Sequence, residues 1–226
     1  MNGLLSILSV DRLLELSIRL LAVIAILPIH ELAHAYVADK LGDSTARGLG
    51  RITLNPLRHL DFIGTLCLLF AGFGWAKPVP VDSRAFHNPK RGMAVVAVAG
   101  PVSNFLLAMV FLLVEKALLL IFGLNMPEPV YFLMQIFDLL AYISTSLGIF
   151  NLLPIPPLDG SRILGLFLPD RIYYGIMRYE RYIMIVVFAL LFSGVLSAPL
   201  GYAVNAVFGV LDFLTVPFHA IIGFLN

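Results

Sequence analysis

The chain has 226 residues, 60% of them hydrophobic and 13% charged, whereas soluble globular chains carry about 45–50% apolar and about 25% charged residues. With a mean hydropathy of +0.94, this excludes a soluble protein of this size and calls for one embedded in the lipid bilayer. A net charge of +1 leaves no basic domain to bind phosphates, so no nucleic-acid partner is expected.

At roughly 150 residues per domain, one membrane-embedded domain spanning 1–226 is expected. Its core falls at about 13–165, followed by a C-terminal hydrophobic hairpin at about 182–225. Apolar runs near 20 residues long suit helices rather than the shorter alternating strands of a barrel. The expected fold is therefore an all-α polytopic membrane protein with about five transmembrane helices, at 13–38, 92–123, 129–153, 182–198 and 202–224. The fourth is short, and the last two alternatively form one re-entrant hairpin. The first 20 residues show no basic n-region with a small-residue cleavage site, so no removable signal peptide is expected. Cys67 is the only cysteine and cannot form an internal disulfide.

The first span ends in His30-Glu31-Leu32-Ala33-His34. Residues four apart on a helix share a face, so both imidazoles can reach one ion at Zn–N distances of about 2.0–2.1 Å. Glu31 stands beside them, placed to deprotonate a water that the metal activates. With five His and five Glu in the chain, composition alone gives about 0.002 such matches. Ionisable groups in an apolar helix are costly and mark function by default.

Between the first two spans lies a polar stretch, an apolar run at 62–75, and a second polar stretch to 91. Fourteen apolar residues are too few for an upright span and fit a re-entrant or interfacial piece. The prolines of Gly74-Trp75-Ala76-Lys77-Pro78-Val79-Pro80-Val81 keep that segment extended, giving a β-hairpin-like element. As an edge strand, Gly74, Trp75, Val79 and Val81 would pair with an unwound substrate by β-addition; the alternative is a loop that packs over the site. His59 and His87, in basic loops, read as solvated or loop-bonding.

The second span carries Gly100-Pro101-Val102-Ser103-Asn104, and the third ends at Asn151. Each asparagine either stabilises an oxyanion or makes an interhelical hydrogen bond that only positions helices. Beyond Asn151 comes Leu152-Leu153-Pro154-Ile155-Pro156-Pro157-Leu158-Asp159-Gly160. Its prolines forbid a regular helix, and irregular backbone at membrane depth survives only where protein or water covers it. Asp159 is either a turn residue or the third protein ligand that a catalytic zinc requires.

Twelve of the 15 basic residues fall in the loops at 39–91 and 154–181. The positive-inside rule puts both loops and the C-terminus in the cytoplasm and the N-terminus outside.

These segments resemble the site-2 protease family of intramembrane zinc metalloproteases. The likeness extends from His30-Glu31-x-x-His34 to Arg51-Ile52-Thr53-Leu54-Asn55-Pro56, to Phe73-Gly74-Trp75 with Pro78-Val79-Pro80-Val81, and to Asn151-x-x-Pro154-x-Pro156-x-Leu158-Asp159-Gly160. It covers about 24–164. Departures are Phe62, where many relatives carry proline, and Ser161, where many carry glycine.

The resemblance implies one Zn²⁺ per chain held by His30, His34 and Asp159, with Glu31 as catalytic base. It implies a transmembrane-protein substrate and a multi-pass location in a bacterial or archaeal plasma membrane, with the active site towards the cytoplasm. No PDZ or nucleotide-sensing segment accompanies the core. Oligomeric state has no signature. The competing readings are an inactive relative acting as a membrane binding or chaperone module, and a divalent-metal transporter. A transporter often shows inverted repeats, and the sequence contains none.

Overall fold

The computed structural model describes residues 10–71, 76–123 and 125–223. Nine α-helices account for most of them, with no strand among the described residues: α1 (Val10–Lys40), α2 (Thr45–Gly48), α3 (Phe62–Ala71), α4 (Pro89–Phe122), α5 (Glu128–Asn151), α6 (Asp159–Leu164), α7 (Asp170–Arg178), α8 (Glu180–Phe192) and α9 (Ser197–Gly223). The chain forms two compact units, Met1–Asp82 and Ser83–Asn226.

Four helices contain stretches long and apolar enough to cross a membrane: Leu16–Lys40, Pro89–Phe122, Glu128–Asn151 and Ser197–Pro217. The all-α polytopic architecture is thus the one the composition demands, with four such helices among the described residues where about five are expected. The expected fourth span is α8, whose 13 residues extend only about 20 Å at 1.5 Å per residue. Gly194, with φ +74°, takes the left-handed conformation that ends it. The break expected at Ala198-Pro199-Leu200-Gly201 instead lies in the first turn of α9, where a proline is tolerated.

In the first unit, α1 buries a stripe of Val23, Ile26, His30, His34 and Ala38, the i, i+3, i+4 spacing of one helix face. The run at 62–71 is helical, and Asp61 Oδ1 caps it by accepting the Gly64 N–H at 2.8 Å. The helix is described over ten residues, to Ala71. On either side of α3, Leu60 and Ala76 form an antiparallel bridge, and the Lys77 N–H donates to the His59 carbonyl at 2.8 Å. Residues 77–81 belong to neither a helix nor a strand.

In the second unit, Asn88 caps α4 by accepting the Arg91 N–H at 3.1 Å. Helices α4 and α5 meet through small residues: Ser144 donates to the Asn104 carbonyl at 2.8 Å, and Gly148 faces the Phe105 ring. Small side chains allow such close approach inside a membrane. Ala108, Leu112, Ala141 and Leu211, drawn from α4, α5 and α9, form a core cluster. Lys116 bridges to Asp212 at 2.8 Å and to Glu115 at 3.1 Å, which ties α9 to α4.

Candidate metal centre

In the first unit, His30, Glu31 and His34 are all buried on a helix whose burial stripe they extend. The imidazoles stand nearly perpendicular, with ring centroids 4.6 Å apart and an interplanar angle of 89°. Their Nε2 atoms face each other at 3.1 Å. Two ligands at about 2.0–2.1 Å from a tetrahedral zinc lie about 3.3 Å apart, so the pair is close to the spacing of two legs of such a site. Glu31 Oε2 accepts the backbone N–H of Val79 at 3.1 Å, which brings the candidate base to the proline-containing segment at 77–81.

Two further buried side chains hold that segment and its end, and a third lies in the loop before it. Arg51 donates through Nη2 to the Lys77 carbonyl at 2.6 Å and through Nη1 to the Pro78 carbonyl at 3.3 Å. Asp43 accepts the Asp82 N–H at 2.7 Å and the Thr45 N–H at 3.0 Å. His59 is fully buried, and its Nε2 meets the Thr53 carbonyl at 2.8 Å. It is a loop-bonding histidine, as one of its two expected readings had it, while His87 is exposed. Arg51 opens a segment that carries the family resemblance, but neither its role nor that of Asp43 is signalled by the sequence, because a lone charge in a polar loop looks solvated until the fold closes over it. Val79 and Val81 are half-buried; Gly74 and Trp75 lie outside the described residues.

The second unit holds Asp159 as the first residue of α6. The polypeptide leaves α5, turns through Pro154–Pro157 and re-enters a helix at Asp159, so the prolines set where that carboxylate emerges. A cis bond joins Pro156 and Pro157. Gly160 packs so tightly that a Cβ there would meet the Leu152 carbonyl oxygen at 2.1 Å. Further along, Lys90 ties the segment after α6 to the start of α4, donating to the Leu168 carbonyl at 2.6 Å and to Asp170 at 2.9 Å. Gly165 packs against the Tyr173 ring.

Asn104 is fully buried on α4, and neither its Nδ2 nor its Oδ1 has a partner among the described residues. A buried amide without partners is costly, and it retains the donor an oxyanion needs. Asn151 differs: its Nδ2 donates back to the Leu147 carbonyl at 3.0 Å, within its own helix.

Residues 125–194 match peptidase family M50. Over 180 residues the chain is 44% identical to YwhC of Bacillus subtilis, provisionally designated a zinc metalloprotease, covering 78% of this chain and 81% of that protein. It is 31% identical over 136 residues to Rip2 of Mycolicibacterium smegmatis, which bears the same provisional designation, covering 58% of this chain and 50% of Rip2. Zinc metalloprotease MJ0392 of Methanocaldococcus jannaschii is 28% identical over 151 residues, covering 66% of this chain and 33% of that protein. No solved structure matches.

Proposed function

Because the chain belongs to peptidase family M50, the site-2 proteases, we propose that this membrane-embedded zinc metalloprotease cleaves a transmembrane protein within or near its membrane-spanning segment. The observation that carries the reading is the pair of histidine nitrogens facing each other at 3.1 Å with Glu31 beside them, buried on an apolar helix of spanning length.

The zinc ligands we assign are His30, His34 and Asp159. The donors are an imidazole nitrogen from each histidine and a carboxylate oxygen from Asp159, the hard and borderline atoms that zinc prefers. Bound there, zinc supplies Lewis acidity, lowering the pKa of a water and polarising the scissile carbonyl. Glu31 removes the water proton and returns it to the leaving amine. One of its oxygens is held by the Val79 N–H, so the other is the one we assign to the proton. Asn104 is the candidate oxyanion donor, through the Nδ2 that has no partner. Asn151, bonded locally, is assigned to positioning the turn that leads to Asp159.

A helical peptide bond is shielded, so the substrate must unwind before attack. The segment ending in Val79 and Val81, with Gly74 and Trp75 preceding it, is our candidate for the strand that receives it. Pro78 and Pro80 have no N–H, and the Val79 N–H is already given to Glu31. An unwound substrate therefore pairs there mainly as donor, to carbonyl oxygens. From the distribution of basic residues, we place the site towards the cytoplasmic side; from the family resemblance, we place it in a bacterial or archaeal plasma membrane, within one protease domain.

The test compares membrane proteomes of cells expressing the wild type or Glu31→Gln. The reading predicts new peptide termini inside or beside apolar spanning segments in the wild type, falling about 10²- to 10⁴-fold in the variant. Equal fragments in both would refute Glu31 as base. Termini confined to soluble regions would refute cleavage within the membrane.

A further inference from the structure

We propose that Arg51 is a positioning residue for Glu31, acting through the backbone of Lys77–Val79. This deepens the assignment of Glu31 as base and rests on it. Arg51 is 6% exposed, and among the described residues no carboxylate pairs with it. It gives its hydrogen bonds to two adjacent carbonyls, those of Lys77 and Pro78, while its Nε has no partner. A buried cation without a counter-ion is costly, and a neutral side chain of similar size would fill the space more cheaply. What the guanidinium alone supplies is a rigid fork that grips consecutive carbonyls.

The grip has a direction. The Pro78 carbonyl and the Val79 N–H belong to one planar trans peptide unit and point to opposite sides of it, so gripping the carbonyl aims the N–H. Pro78 and Pro80 lack an N–H, so the central donor left in the segment is that of Val79, and it is the one that meets Glu31. The ends are fixed independently, by the His59 carbonyl on the Lys77 N–H and by Asp43 on the Asp82 N–H. Arg51 holds the middle. Without it, the two prolines leave the centre of the segment with few bonds, and the N–H that orients the Glu31 carboxylate drifts. Base catalysis is sensitive to such displacement, because the proton must pass within hydrogen-bond reach.

The experiment uses the full chain, zinc-loaded and in detergent, with wild type, Arg51→Gln, Arg51→Lys and Val79→Pro. Residue-resolved amide exchange by NMR reads the Val79 N–H directly, and fluorescein-labelled casein serves as the protease probe. In Arg51→Gln, Val79 exchange is expected to speed up about tenfold or more, while the Lys77 amide, held by His59, changes less. The kcat on casein falls about tenfold with KM within about twofold, and zinc per chain is unchanged. Arg51→Lys, which keeps the charge but loses the fork, falls between. Val79→Pro removes the N–H with Arg51 intact and reproduces the kcat loss, so it stands in should Arg51→Gln fail to fold.

Unchanged Val79 exchange in folded Arg51→Gln overturns the clamp. Faster exchange with unchanged kcat overturns the positioning role, as does wild-type kcat in Val79→Pro. The exchange readout needs no substrate. A wild type that cleaves casein no faster than Glu31→Gln counts against hydrolysis of soluble chains and not against a membrane substrate, and the clamp is still decided by the exchange of Val79.

Discussion

Gly160 directly follows the proposed ligand Asp159, and a single methyl group there would collide with the Leu152 carbonyl oxygen at 2.1 Å. Backbone cannot yield as a flexible side chain does, so Gly160→Ala must displace the turn that presents Asp159. We expect zinc per chain to fall to less than half of wild type in Gly160→Ala, measured by elemental mass spectrometry on purified protein. Retention of full zinc would separate Asp159 from the metal. Residues of this kind differ in how far the sequence reveals them. His30, Glu31 and His34 are legible because helix geometry is local, and four positions along α1 bring two rings face to face. Arg51 and Asp43 are not legible, since their partners lie 26 to 39 positions away and only the closed fold shows that they are buried. Asn104 is legible as a candidate, while the lack of partners that supports a chemical role is a property of the fold.

Among the elements, the α4–α5 pair is constrained by side-chain size. A Cβ at Gly148 would meet the Phe105 ring at 2.6 Å. Gly148→Val is therefore expected to force the helices apart and destabilise the second unit by about 1–3 kcal/mol, read as a lowered thermal midpoint in detergent. An unchanged midpoint would mean that Phe105 swings clear. The long helices were evident from apolar length alone, because burial in lipid requires about 20 apolar residues. The end of α8 was harder to place. The Pro199-Leu200-Gly201 segment signals a break that is absorbed by the first turn of α9, where a proline is tolerated, whereas α8 ends earlier, at Phe192 before Gly194. The prolines of the segment at 77–81 argue for extended backbone, and in the structure it belongs to neither a helix nor a strand. Its contact with Glu31 depends on three long-range clamps that no local pattern encodes.

For the molecule as a whole, the orientation in the bilayer follows from charge. With loops 39–91 and 154–181 carrying 12 of 15 basic residues, those loops are expected to face the cytoplasm. Cys67 is the only cysteine, so a Cys67→Ser background allows single reporters. A cysteine replacing Asn125 is expected to react with a membrane-impermeant maleimide in intact cells, and one replacing Arg178 only after permeabilisation. The reverse pattern would turn the molecule over and move the proposed site to the outer face.

The central claim is that one zinc is held by His30, His34 and Asp159 together, and metal analysis tests it without knowledge of any substrate. Purified wild type, His34→Ala and Asp159→Ala would be compared by elemental mass spectrometry. The account predicts about one zinc per chain in the wild type, lost or sharply reduced in both variants. A full complement of zinc in Asp159→Ala would show that the third ligand is a different residue. A folded wild type that takes up no zinc even when resupplied would contradict the account outright.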